Sequence, residues 1–279
     1  MDAPHSQVFF PSGFSELFAV WTRFPDAVLF AGGTELVRSQ DGRLLVLPRN
    51  ILSLNQMDEL QRITRTERYL EVGAMVKLNE IIQLGKTVPE VLSMTLRGIA
   101  GPFLRNIATI GGNLCSSRRK MDAAAPMIAL DARYELRSAA QVRWISASRF
   151  SSLPGPPAFN RQELLTRIRI PLEQWDYSLC RKMQPSRPGE PGEGAAVFIA
   201  QIQKNILTEI RVVFAGQIVL RDKNSETFLA GKQLPLDRRE AKQFVELWKT
   251  YLSAVEIPST ILQAKLLNFI EAGILGLTD

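Results

Sequence analysis

Apolar residues recur along the chain with two periods, one near 3.6 and one near 2, and the switching between them predicts a mixed order of helices and strands. Phe14, Leu17, Phe18 and Trp21 fall at i, i+3, i+4 and i+7, one face of a helix, with Ser12 or Ser15 available to cap it and Pro25 to stop it. Ala27-Val28-Leu29-Phe30 is a short all-apolar run of the kind a buried parallel strand shows, ending abruptly in Ala31-Gly32-Gly33-Thr34-Glu35-Leu36. A second short strand is predicted at Leu44-Leu45-Val46-Leu47, closed by Pro48. Residues 69–73 read as a strand, 78–82 as the start of a helix, and 88–100 as a further helical stretch. The run from Gly101 to Leu114 is too interrupted by glycine for a long helix. A buried helix is predicted over 123–130, then strands near 132–137, 141–145 and 166–170, the last halted by Pro171.

Residues 184–194 hold three Pro and three Gly in eleven positions, a loop by chemistry. The apolar runs 195–203 and 207–215 flank Lys204-Asn205-Ile206 and predict a hairpin. Ala241, Phe244, Val245, Trp248, Tyr251 and Leu252 mark one face of a helix, and Leu262, Leu266, Phe269 and Ile270 one face of another. A boundary near residue 175 therefore separates a larger unit, 1–174, from a smaller sheet-plus-helices unit, 175–279.

With 279 residues, 46% of them hydrophobic and 22% charged, the chain has the length of roughly two domains and enough apolar surface for a core, which excludes a disordered or collagen-like chain. No apolar run reaches the roughly 18–20 residues of a membrane-spanning helix. Met1-Asp2-Ala3-Pro4-His5 lacks a basic, then apolar, leader, so a soluble cytoplasmic protein with no membrane association is expected. Cys115 and Cys180 are too few for a disulfide framework or an iron–sulfur cluster, and the single His5 makes a Ser-His-Asp triad or a His-rich metal site unexpected. The net charge of +6 is uneven: residues 101–187 hold 14 Lys/Arg against 6 Asp/Glu. Such a surplus suits an anionic partner, or a solvated surface with none. Nucleic acid is not expected, because the cations are not interleaved with aromatics.

Two segments carry candidate chemistry: Ala31-Gly32-Gly33-Thr34, after the buried strand, and Thr109-Ile110-Gly111-Gly112-Asn113. Paired glycines permit positive φ and leave backbone N–H groups unobstructed, an anion-binding nest suited to a pyrophosphate, and Thr34 and Asn113 add side-chain donors. Taken singly, each pair is equally a tight turn with no ligand. Neither a Walker A loop nor a Gly-x-Gly-x-x-Gly occurs, which disfavours ATP-driven chemistry and a Rossmann dinucleotide site.

Taken together, Ala31-Gly32-Gly33-Thr34-Glu35-Leu36 and the segment Arg105-Asn106-Ile107-Ala108-Thr109-Ile110-Gly111-Gly112-Asn113-Leu114 resemble the FAD-binding subunit of molybdopterin dehydrogenases, the family of the xanthine dehydrogenase flavin domain and the carbon monoxide dehydrogenase medium subunit. Leu52-Ser53-Leu54, Val72-Gly73-Ala74, Asp122 before Ala129-Leu130-Asp131-Ala132, Lys182, and Leu229-Ala230-Gly231-Lys232 extend the likeness over nearly the whole chain. The resemblance implies an α+β fold: an FAD-binding domain of the vanillyl-alcohol-oxidase type, in two α/β subdomains (about 1–57 and 58–174), with a small C-terminal domain. It implies that Phe30, Ala31, Gly32, Gly33, Thr34, Glu35 and Leu36 wrap the FAD pyrophosphate, with Ala108, Thr109, Gly111, Gly112 and Asn113 holding it from the other side. It further implies that Asp122 contacts the cofactor and that Lys182 lies near the isoalloxazine ring, where a cation stabilises the reduced flavin. Asp122 is equally placed to cap the helix that follows it, and Lys182 to be a solvated lysine.

The chain departs from the family in three places. Arg118-Arg119-Lys120 replaces small residues and a proline, either to meet a phosphate or NAD, or to face water or a partner. Glu35 stands where Asp is usual, and Gly101-Pro102-Phe103-Leu104 is atypical. Cys115 reads as a small buried filler, with a redox role as the alternative. The function implied is an electron-transfer flavoprotein subunit of a molybdenum hydroxylase, an oxidoreductase that takes electrons from a partner iron–sulfur subunit, beside a molybdopterin-binding subunit, and passes them through FAD to NAD or another acceptor. The alternatives are a self-contained flavin oxidoreductase, a flavin-free scaffold, and a nucleic-acid binder.

Overall fold

A computed structural model describes residues 6–38, 46–116, 120–152, 158–185 and 192–278. Three sheets succeed one another along the chain. β1 (Gln7–Phe9), β2 (Val28–Phe30) and β3 (Asn50–Ser53) form a parallel sheet in the order β1-β3-β2. The helix Phe14–Arg23 lays Leu17, Phe18 and Trp21 against it, as the i, i+3, i+4 pattern predicts. Its N-cap is Gly13 rather than a serine, because the backbone N–H and hydroxyl of Ser12 both donate to Glu16, at 2.9 and 3.1 Å, and close the first turn from outside. β2 is parallel as predicted but is an edge strand, with Val28 39% exposed where it borders a cavity. Of the strand predicted at 44–47, Leu44 and Leu45 lie outside the described residues, and Val46 and Leu47 are exposed and not in a strand. The partner of β2 instead begins beyond Pro48, which lacks the N–H a ladder needs.

β4 (Ile63–Arg65), β5 (Tyr69–Gly73), β6 (Arg133–Arg137), β7 (Val142–Ser146) and β8 (Leu164–Pro171) form an antiparallel sheet in the order β4-β5-β8-β6-β7. Leu70, Val72, Tyr134, Leu136, Ile168 and Ile170 alternate onto its inner face and share one core with the helices Leu78–Gln83, Glu90–Arg97 and Ala124–Ala129. On the outer face Glu71 holds Arg167 and Arg169, and the Arg169 guanidinium lies 4.3 Å from the Trp144 ring centroid. The glycine-interrupted stretch 101–114 forms two short helices, Pro102–Arg105 and Ile110–Leu114. Arg105 fixes the first of these: its Nη1 donates to the carbonyls of Arg97, Ile99 and Ala100, at the end of the preceding helix.

β9 (Tyr177–Met183), β10 (Gly194–Gln203), β11 (Ile206–Gly216) and β12 (Val219–Leu220) form the third sheet, antiparallel, in the order β12-β11-β10-β9. Lys204 and Asn205, at φ 52° and 61°, make the two-residue turn of the predicted hairpin, the left-handed pair that matches the twist of its strands. Residues 195–200 of β10 are uniformly apolar because both faces are covered there. Ala195, Val197 and Ile199 join the core of the second sheet, while Ala196, Phe198 and Ala200 face the helices Arg238–Ala254 and Thr260–Leu275. Residues 186–191 of the Pro/Gly loop lie outside the described residues. Among the described residues no helix is long and apolar enough to cross a membrane.

Candidate functional site

A cavity of about 740 Å³ opens between the first and second sheets, and both glycine motifs line it. The first motif leaves the end of β2, with Gly33 at φ +70°, a conformation that glycine adopts without strain, and leads into the helix Thr34–Arg38. The second supplies the helix Ile110–Leu114. The two motifs are fitted to each other: a Cβ on Gly32 would lie 2.2 Å from the carbonyl oxygen of Ile107 and 3.2 Å from the Cα of Ala108. A Cβ on Gly111 would lie 2.6 Å from the carbonyl oxygen of Ala74. Glycine is required at both positions by close backbone approach.

The donors of the two motifs differ. Among the described residues no acceptor faces the amides of Gly32 and Gly33. In the second motif the amides are already used: Gly111 N–H donates to Ala74 O at 2.8 Å, Gly112 N–H to Thr109 Oγ1 at 3.0 Å, and Asn113 N–H to Thr109 O at 3.0 Å. The nest expected there is therefore absent, because Thr109 caps the short helix and takes up its first donors. The capping leaves side chains to donate instead. Thr109 Oγ1 accepts and keeps its own proton, and Asn113 Oδ1 accepts from the Ala123 N–H at 3.3 Å, which turns Asn113 Nδ2 outward.

Phe30, Ala31, Gly32, Gly33, Thr34, Glu35, Leu36, Ala108, Thr109, Gly111, Gly112 and Asn113 all line the cavity; Asp122 and Lys182 stand outside its lining. Those two form an ion pair, Lys182 Nζ to Asp122 Oδ2 at 2.8 Å, with the carboxylate buried and the lysine about one-third exposed. Asp122 does not cap the helix that follows it, whose N-cap is Ala123 in an αR conformation without a side-chain hydrogen bond. Asp122 Oδ1 and the Oγ of Ser116, a cavity-lining residue, are buried with no hydrogen-bond partner. Cys115 lines the cavity beside them, its thiol pushed up to about 12 by burial, so it is held protonated. Of the basic run, Arg118 and Arg119 lie outside the described residues, and Lys120 is buried, its ammonium lowered from the usual lysine range by desolvation.

The inner wall was not foreseen from the sequence. Trp21, Leu54 and Met75 line the cavity as well as the core, and the segment 159–165 closes its far side. Glu163 anchors that segment from within. Arg143 donates to it through Nε and Nη2 at 2.6 and 2.7 Å, and Asn160 through N and Nδ2 at 2.7 and 3.0 Å. The paired guanidinium holds the Glu163 carboxyl below the usual carboxylate range. No local sequence pattern announces this wall, because its residues converge from separate elements.

Residues 4–173 match the family described as "FAD binding domain in molybdopterin dehydrogenase". The xanthine dehydrogenase FAD-binding subunit of Escherichia coli O157:H7 is 31% identical over 153 residues, which cover 53% of this chain and 51% of the relative. The chain thus spans about half the length of the curated relatives it matches. Among solved structures, quinoline 2-oxidoreductase from Pseudomonas putida 86 superposes with a TM-score of 0.82 at 24% identity, covering 100% of this chain and 97% of that one. CO dehydrogenase from Oligotropha carboxidovorans does so with a TM-score of 0.82 at 22% identity, covering 99% and 97%. These two likenesses establish the fold, and the family match over more than half of the chain establishes the kinship: the chain belongs to the family of FAD-binding domains in molybdopterin dehydrogenases.

Proposed function

We propose that the chain holds FAD across this cavity and serves as the flavoprotein subunit of a molybdenum hydroxylase. The observation that carries the reading is the interlock of the two glycine motifs at the cavity, where Gly32 meets Ile107 and Ala108 at a distance that admits no side chain. Backbone approach of this kind lets phosphate oxygens reach main-chain donors. The open amides of Gly32 and Gly33, the Thr109 hydroxyl and Asn113 Nδ2 converge as donors on the pyrophosphate, and Phe30, Thr34, Glu35 and Leu36 complete its surround. The buried orphan oxygens of Ser116 and Asp122 fit a ligand with polar edges at the adjoining end. Lys182 brings a cation to that end whose charge is balanced by Asp122, so the pair fixes a position and a dipole rather than a bare charge.

When bound, FAD supplies the exchange of single electrons with iron–sulfur clusters and of electron pairs with NAD or another acceptor. The chain's own residues position the cofactor. In this reading the iron–sulfur clusters and the molybdopterin lie outside these 279 residues, whose two cysteines cannot hold a cluster, and partner subunits would carry them. We take 1–174 as the FAD-binding unit and 175–279 as a smaller unit, a division supported by the separation of the second and third sheets along the chain.

The test is the visible spectrum of the purified chain, with the released cofactor identified. A flavin spectrum with FAD released is expected, and Gly112→Glu, which sets bulk and negative charge at the pyrophosphate, is expected to abolish retention. A chain that stays colourless after incubation with FAD contradicts the reading and points to the scaffold alternative. Turnover of a small organic substrate without partners points to a self-contained oxidoreductase.

A further inference from the structure

The outer face of the second sheet is an uncovered surface of arginine and aromatic residues. Tyr69 and Glu71 of β5, Arg133 of β6, Trp144 of β7, and Arg167 and Arg169 of β8 share it, each alternating with a residue of the inner core. The register sets like charges against each other: Arg133 lies directly opposite Arg169, a juxtaposition that destabilises a strand pair. Glu71 gives one oxygen to Arg167 at 3.2 Å and the other to Arg169 at 2.7 Å. Glu135, opposite Arg167, gives its Oε1 to the Thr166 hydroxyl at 2.6 Å instead. Among the described residues no carboxylate lies within ion-pair distance of the exposed Arg133. Three guanidiniums thus share one carboxylate. A face that meets only water is better served by a carboxylate opposite Arg169.

Along the chain the cations are not interleaved with aromatics, but across these strands they are. The Arg169 guanidinium lies 4.3 Å from the Trp144 ring centroid and 5.5 Å from that of Tyr69. Both rings are therefore taken up in holding that guanidinium, and the N–H donors left on the face outnumber the acceptors beside them. Charge complementarity decides the occupant, since guanidinium forks pair with carboxylates or phosphates. A nucleic-acid strand carries a charge at every nucleotide and would run past Glu71 and Glu135, with both rings already covered. A polypeptide can set its carboxylates over the arginines and neutral side chains elsewhere. A second copy of this chain carries the same positive charge, +6. Tyr69 and Val142, 38% and 47% exposed, add the apolar contact that protein interfaces mix with arginine. We propose that this face docks a partner polypeptide that presents carboxylates, seated on Arg133, Arg167 and Arg169. None of these residues lines the cavity, so the face stands apart from the FAD reading.

The probes are a fluorescent glutamate-rich peptide and a single-stranded DNA of equal charge, titrated against the full chain at physiological salt and followed by anisotropy. The peptide is expected to bind more tightly than the DNA. Arg133→Glu is expected to weaken the peptide about tenfold or more, the loss of one charge-assisted pair. The same substitution is expected to raise the thermal midpoint by about 1–3 °C, because a carboxylate then faces Arg169. Arg133→Gln, which removes the charge alone, is expected to weaken the peptide by a smaller factor. Arg238→Glu makes the same charge change on the exposed start of the helix Arg238–Ala254, on the far side of the third sheet, and is expected to alter affinity by less than about twofold. Equal weakening in Arg133→Glu and Arg238→Glu shows attraction to net charge alone and overturns the proposal. Tighter binding of the DNA overturns it in favour of a nucleic acid, and no binding of the peptide overturns it outright. FAD retention is expected to be unchanged in all three variants, so the docking face and the cofactor reading stand or fall separately.

Discussion

Gly32→Ala tests the interlock most directly. The added methyl would sit 2.2 Å from the carbonyl oxygen of Ile107 and 2.9 Å from its carbonyl carbon, both backbone atoms that no rotamer change can move. Contact at van der Waals distance requires the two loops to part by roughly 1 Å, and overpacking of this kind costs about 1–3 kcal/mol. In the empty chain the loops can separate and relieve part of that strain. Around a pyrophosphate they cannot, because the amides of Gly32 and Gly33 must stay in register with Thr109 and Asn113. The strain therefore falls on binding, and FAD affinity is expected to drop about 5- to 150-fold, the factor equivalent to 1–3 kcal/mol. Gly112→Ala supplies a milder contrast, since its methyl would meet the Thr109 hydroxyl at 2.9 Å, a single side-chain atom rather than the backbone of another loop. Titration of the two apo variants with FAD, followed by flavin fluorescence, measures both effects. A Gly32→Ala chain that binds within twofold of the wild type refutes the reasoning. So does an equal loss in Gly112→Ala, which would show that backbone rigidity is not what matters.

Two further expectations concern the cavity's support. Arg143 keeps the Glu163 carboxyl below its ordinary value of 4.5, so the pair stabilises the fold above that pH and its contribution is lost as pH falls through the lower folded value. Arg143→Met is expected to cost about 1–3 kcal/mol at neutral pH by leaving a buried carboxylate with Asn160 alone, and the deficit should shrink below about pH 4 as that carboxyl protonates. Thermal midpoints measured across this range decide it, and an equal deficit at both ends contradicts the assignment. Cys115, with its thiol pushed up to about 12, should resist iodoacetamide at pH 8 in the native chain and react after unfolding. Mass spectrometry of both forms checks this, and rapid native labelling of Cys115 would show that the thiol is not held protonated.

Much of the fold is written in local pattern. The helix Phe14–Arg23, the hairpin about Lys204-Asn205 and the two C-terminal helices follow from periodicity and turn chemistry, since each residue's face is set by its own neighbours in the chain. The misplacements have local physical causes that override pattern. Ser12 turns to Glu16 instead of capping, and the strand expected before Pro48 forms beyond it. The two glycine motifs were legible as candidates because the absence of a side chain is visible in the sequence. That they are halves of one cavity is not visible, because the contact between Gly32 and Ile107 joins separate sheets.

What the sequence determined by itself is therefore the strongly periodic elements, the family resemblance and the positions where backbone must come close. Tertiary structure alone decided that Thr109 consumes the amides of its own motif, that Asp122 pairs with Lys182 instead of capping a helix, and that Trp21 and the segment 159–165 wall the cavity. The reason is that hydrogen bonds and ion pairs are short-ranged and exclusive. Which donor is spent and which is left for a ligand depends on the partner within about 3 Å, and only folding brings that partner there.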